Sequence, residues 1–146
     1  MNINIIGGEI MELEMAIWNI WSMNRITGAI TTLAIIIAIW IAARFASVAS
    51  EQSEENKNIG GKIILTLFGA SVIGGGIMSN LMSQRNWTVT ADAFNNMKNA
   101  GMDLSPAATE FMTTYSGEPS LLNTPLALVF FIMAFLIILF PIWFKK

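Results

Sequence analysis

The sequence predicts an all-α membrane protein with three transmembrane helices, and two observations carry that reading. Residues 26–46, 63–82 and 126–144 are almost unbroken apolar runs, each close to the roughly 20 residues an α-helix needs to cross a bilayer. Of 146 residues, 54% are hydrophobic and only 12% charged, about half the charge of an average soluble domain. Lipid offers backbone N–H and C=O groups no partner, so such runs must close their own hydrogen bonds as helices. Most of the chain is thus committed to spanning, and a single membrane domain is expected over 1–146.

Taken from the start, residues 1–8 carry no Lys or Arg. A secretory signal places basic residues directly before a short apolar core, so a retained N-terminus is expected. Residues 9–23 read as an amphipathic helix: Ile10, Leu13, Ile17, Ile20 and Trp21 recur at helical spacing, while Glu9, Glu12 and Asn19 gather elsewhere. Its length favours an interfacial position, with Trp18 and Trp21 as anchors at the membrane boundary, and residues 24–28 as a turn into the first span. The polar side is acidic, unlike the Lys/Arg-rich face of helices that bind anionic lipid, which points to a protein partner.

The first span, 26–46, has Thr27, Gly28, Thr31 and Thr32 at one end and an Ile-rich half with Trp40 at the other. The loop after it holds Glu51, Glu54 and Glu55 against Lys57 and reads as a solvated connector. The second span, 63–82, stands apart. Ser71, Gly75 and Ser79 repeat every four residues, as do Ala70 and Gly74, leaving one smooth side on which another helix backbone can approach closely. Gly74-Gly75-Gly76 would also permit a break in the helix, as in transporters whose interrupted helices hold substrates. Arg44 is the only charge within the three runs, and it sits where its side chain can snorkel. A packing face is therefore the plainer reading.

Between spans two and three, residues 84–122 are expected to form a two-helix extracytoplasmic cap. Thr90 is placed to cap a helix over 91–100 that ends at Gly101. Ser105 and Pro106 suit the N-cap and first position of a second helix, whose apolar stripe is Ala108, Phe111, Met112 and Tyr115. Asn86-Trp87-Thr88 matches a glycosylation sequon of little weight by itself. Trp87 marks the outer boundary and Trp143 the inner one. The third span, 126–144, is bulky throughout, with Pro141 in its last turns.

Basic residues set the orientation. With the N-terminus outside, Arg44, Lys57, Lys62, Lys145 and Lys146 fall on the cytoplasmic side and Arg25, Arg85 and Lys98 on the other, a bias toward N-outside and C-cytoplasmic in a cell inner membrane.

The chemistry is bounded by what the sequence lacks. With no Cys and no His, the chain has no thiolate, no Cys-ligated metal and no imidazole base or ligand. No catalytic, cofactor-binding or metal-ligating residue is expected, although a structural lipid beside span two is compatible with the pattern. Ten methionines, among them the one-turn pairs Met11/Met15 and Met78/Met82, are soft ligands that suit Cu(I). Methionine more often fills gaps in packed interfaces. The expected role is a non-catalytic accessory subunit of a larger membrane complex, energy-transducing or oxidoreductase, such as a membrane monooxygenase or respiratory assembly. Its partners would be other integral membrane subunits and the bilayer, with no nucleic acid. Two alternatives come from the same features. Three spans with a basic tail resemble the three-span holins in outline, implying a self-assembling pore, although a long ordered outer loop departs from that pattern. The Gly74-Gly75-Gly76 run would suit a small transporter component.

Overall fold

The computed structural model describes residues 3–51 and 59–144. Glu54, Glu55 and Lys57 of the first loop and the terminal Lys145 and Lys146 lie outside the described residues, as does the side chain of Glu9. The described elements are α1 (Ile3–Ser50), α2 (Ile59–Asn99), α3 (Pro106–Thr114), one 3₁₀ turn (Leu121–Asn123) and α4 (Pro125–Trp143), with no strand among the described residues. Three of these helices are long and apolar enough to cross a membrane, as in a multi-pass membrane protein.

Two of the expected boundaries are absent. Residues 9–23 are not a separate helix joined to the span by a turn over 24–28: α1 runs through without interruption. Likewise no helix starts at Thr90, because α2 continues from the apolar run to Asn99. The physical reason is what these stretches lack. All four prolines lie beyond residue 105, and between Ser22 and Ala29 the only glycine is Gly28, so nothing removes a backbone donor or makes a left-handed turn easy. Polar side chains in these stretches join the helix instead of capping it. The hydroxyl of Thr27 donates to the Met23 carbonyl at 3.1 Å, and that of Thr90 to the Asn86 carbonyl at 2.8 Å. Asn86 thus stands inside a helix, a poor setting for a glycan acceptor. At 1.5 Å per residue α1 is about 72 Å long and α2 about 62 Å, against roughly 30 Å of hydrocarbon, so only part of each can lie in lipid.

The C-terminus of α2 ends as its sequence suggests. Gly101 takes φ +80°, while the Met102 amide bonds the Met97 carbonyl at 3.1 Å and the Gly101 amide bonds Lys98 at 2.9 Å. That is a Schellman ending, which needs a residue free to adopt positive φ.

By packing, the chain divides into two compact units, Met1–Gly28 with Leu81–Ser120, and Ala29–Asn80 with Leu121–Lys146. The second unit holds nearly all of the three apolar runs. Its core is a ladder of small and branched residues: Ala42 and Ala46 from α1, Ile73 from α2, and Phe131, Ala134, Ile138 and Ile142 from α4. The α4 positions recur at three- and four-residue steps, so one stripe is buried while Val129, Ile132, Leu136, Ile137 and Phe140 stay exposed on the other sides. Near the ends of this unit two polar contacts tie α2 to the last helix. Thr124 donates to Asn80 Oδ1 at 3.1 Å, and Trp143 Nε1 donates to Thr66 Oγ1 at 3.0 Å with Lys62 Nζ 5.6 Å from the indole centroid.

The first unit has a different core, aromatic instead of aliphatic. Ala91, Phe94, Met97, Ala108 and Phe111 are buried, with Ile10, Ile17, Trp18, Trp21, Trp87, Met102, Leu104 and Met112 packed around them.

Candidate functional site

Two places concentrate what could matter for function: the small-residue side of α2, and the aromatic cluster of the first unit.

On α2 the structure separates two sets of glycines that the sequence shows as one smooth helix. Gly69 and Gly76 lie within the second unit against α4. A Cβ at Gly69 would fall 2.7 Å from Ile138 Cγ2, and one at Gly76 would fall 2.5 Å from Phe131 Cε1 and 3.2 Å from Ile35 Cγ2. These two positions, seven residues apart and on one helix face with Ile73 between them, make the intrachain contact. The expected packing set lies elsewhere. Ala70, Ser71, Gly74 and Gly75 are exposed and Ser79 is half-buried, and a Cβ at Gly74 or Gly75 would meet nothing within 4 Å. Ser71 donates to the Leu67 carbonyl at 2.8 Å, keeping its hydroxyl satisfied without a neighbour. The helix passes through Gly74-Gly75-Gly76 unbroken, so no unwound backbone is offered to a ligand there.

In the first unit, Trp18 and Trp21, expected as boundary anchors, are half-buried and packed edge-on at 5.5 Å. Trp18 meets Phe94 at 4.9 Å and Phe111 at 5.3 Å, and Trp21 meets Phe111 at 5.5 Å. Trp87, also half-buried, lies 5.3 Å from Tyr115. Trp143, in the other unit, is 43% exposed.

Glu14 is half-buried and accepts three hydrogen bonds: from the Ser105 amide at 3.1 Å, from the Ser105 hydroxyl, and from Trp18 Nε1 at 3.2 Å. Ser105 is the N-cap of α3, its Oγ accepting from the Ala108 amide at 3.2 Å, with Pro106 at the first helical position. In a capping box the third helical residue is Glu or Gln and reaches back to the N-cap amide. Here that residue is Ala108, and Glu14, from a helix 91 positions away, supplies the missing carboxylate. One signal was available: Glu14 falls among Ile10, Ile17, Trp18 and Trp21 on a single helical stripe. Two polar contacts hold the chain after α3 to α2: buried Gln84 accepts the Ser120 amide at 3.1 Å, and the Thr88 hydroxyl donates to the Gly117 carbonyl at 2.9 Å.

The methionines divide between packing and exposure. Met97 is buried and Met102 and Met112 are half-buried in the aromatic cluster, whereas the pairs Met11/Met15 and Met78/Met82 are exposed. Among the described residues no group of three or more His, Cys, Asp or Glu side chains gathers as a metal site. No protein-family model, curated protein or solved structure matches this chain.

Proposed function

We propose that this chain is a non-catalytic accessory subunit of a larger integral membrane complex, an energy-transducing or oxidoreductase assembly whose metal and redox groups sit in other chains. The observation that carries the reading is the open side of α2. Gly69 and Gly76 are already filled by Ile138 and Phe131, while Ala70, Ser71, Gly74 and Gly75 present a second smooth face with space above it. In lipid, helices associate by close van der Waals packing, and small residues at four-residue spacing are what permit it. A sequence without Cys or His fits a subunit that supports chemistry performed elsewhere.

In this reading the protein is a multi-pass component of a cell inner membrane, N-terminus outside and C-terminus cytoplasmic. Residues 84–122 then serve as an extracytoplasmic helical cap. Trp18, Trp21 and Trp87 mark the outer boundary and Trp143 the inner, and a lipid can fill whatever part of the α2 face a partner helix leaves open.

Purification from native membranes in a mild detergent, with identification of the proteins that co-migrate on a native gel, tests the proposal. The expected result is a fixed set of other integral membrane proteins at constant ratio. A homogeneous ring of this chain alone would contradict it and support a self-assembling pore.

A further inference from the structure

The N-terminal end of α3 is held by a carboxylate that belongs to another helix. Glu14 of α1 accepts from the Ser105 amide, the Ser105 hydroxyl and Trp18 Nε1, and all three groups that face it are donors. Water reaches this end of the cluster, because Glu14 is only half-buried and Asp103, Glu110, Thr113 and Thr114 on the adjoining turn and α3 are exposed.

The charge of Glu14 has no cation to answer it. Among the described residues, the ionisable side chains on the elements packed around it are Glu12 and Arg25 on α1, Arg85, Asp92 and Lys98 on α2, Asp103 in the turn, and Glu110, Tyr115 and Glu118 on α3 and the chain after it. All of these are exposed, and none is a hydrogen-bond partner of Glu14. Its charge is met instead by Ser105, Trp18 and the positive end of α3. Protonation would cancel that charge and set a fourth donor among three, since a carboxylic acid carries an O–H that needs an acceptor of its own. A group better satisfied when ionised favours the docked state while it is ionised, so docking weakens as pH falls.

The far end of the same segment is tied by groups that do not titrate. Gln84 accepts the Ser120 amide and Thr88 donates to the Gly117 carbonyl. Between the two ends, Ala108 and Phe111 rest on Phe94, Trp18 and Trp21.

We infer that Glu14 is an acid-sensitive latch: as a carboxylate it holds the start of α3 against α1, and when protonated it lets that end lift away from Trp18, Trp21 and Phe94 while Gly117 and Ser120 keep the segment tethered. The inference does not depend on the accessory-subunit reading.

The chain has no cysteine, so single thiols report the opening in the full protein in native membranes. Ala108→Cys places one at a position with 0% exposure in α3, Ala46→Cys one with 0% exposure in the second unit, and Thr113→Cys an exposed reference on α3. Each is titrated with 4,4′-dithiodipyridine, a disulfide that reacts in acid. Between about pH 7 and about pH 4, across the ordinary carboxylate range, the rate at Ala108→Cys relative to Thr113→Cys should rise about tenfold or more, the change expected from losing one charge-assisted hydrogen bond. With Glu14→Gln added, the ratio should be raised at both pH values and flat between them, while Ala46→Cys stays protected throughout. The parent profile needs no change at Glu14, so it decides the matter even where Glu14→Gln folds poorly. A flat profile with Glu14 in place would overturn the inference. So would an acid rise that persists in Glu14→Gln, which would assign it to another carboxyl such as Asp103 or Glu110, or an equal rise at Ala46→Cys, which would mean that the whole chain unfolds.

Discussion

Replacing Phe94 by Ala is expected to destabilise the first unit by about 3–5 kcal/mol, the usual cost of deleting a buried phenyl ring. Phe94 is 0% exposed and, with Ile138, is among the largest fully buried side chains of the described residues. It also holds the cluster together. Its ring is 4.9 Å from Trp18 and 6.1 Å from Phe111, and Phe111 in turn meets Trp21 and Tyr115 at 5.5 Å and 4.7 Å. Aromatic pairs at such distances contribute beyond the area they bury. Truncation therefore leaves a cavity bordered by a ring from α1 and one from α3, which cannot both move to fill it. Denaturant titration in detergent micelles, followed by near-ultraviolet dichroism, should report the loss together with a red-shifted tryptophan emission. The exposed neighbour, tested as Asn95→Ala, should stay within about 0.5 kcal/mol of the parent. A loss below about 1 kcal/mol for Phe94→Ala would mean that the cluster is not the core of this unit.

Gly76→Leu is expected to be at least as damaging, for the opposite reason. The position has no room even for a methyl group, since a Cβ would fall 2.5 Å from Phe131 Cε1 and 3.2 Å from Ile35 Cγ2. Phe131 is only 7% exposed, so its ring cannot swing aside without displacing Ala134 and Ile138 in the same cluster. Overpacking of a filled core costs about 1–3 kcal/mol for modest insertions, and a whole isobutyl group against a ring edge lies at or above the top of that range. Gly74→Leu, two residues earlier on the same helix, meets open space. It should cost the isolated chain nothing and favour the helix by about 1 kcal/mol through backbone propensity. Thermal unfolding of the two variants side by side should separate them clearly. Equal melting would place α2 differently against α4.

The spanning helices were legible in the sequence because their signal is local: a run of about 20 apolar residues has few other uses. Ser105 with Pro106, and Gly101 after Asn99, were legible for the same reason, each being a terminus written in adjacent residues. The joining of spans to their extensions was misread, since Thr90 and residues 24–28 resemble starts and turns when taken alone. Their backbone nonetheless continues as helix wherever proline is absent. The stripe of Ile10, Ile17, Trp18 and Trp21 places Glu14 on the packed side of α1, but its capping partner was not legible, being 91 residues distant. Nor does residue type tell which glycines of α2 face α4. Gly69 and Gly76 differ from Gly74 and Gly75 only in angle around the helix, and that angle gains meaning once Ile138 and Phe131 are in place.

Gly75→Leu tests the central claim most directly, because it alters the outer face of α2 while touching nothing in the chain itself. In native membranes the variant should fold and melt as the parent does, yet leave the assembly, with co-migrating subunits falling at least tenfold on a mild-detergent native gel. A variant that folds normally and keeps its full set of partners would contradict the account, since the small-residue face of α2 would then carry no neighbouring helix.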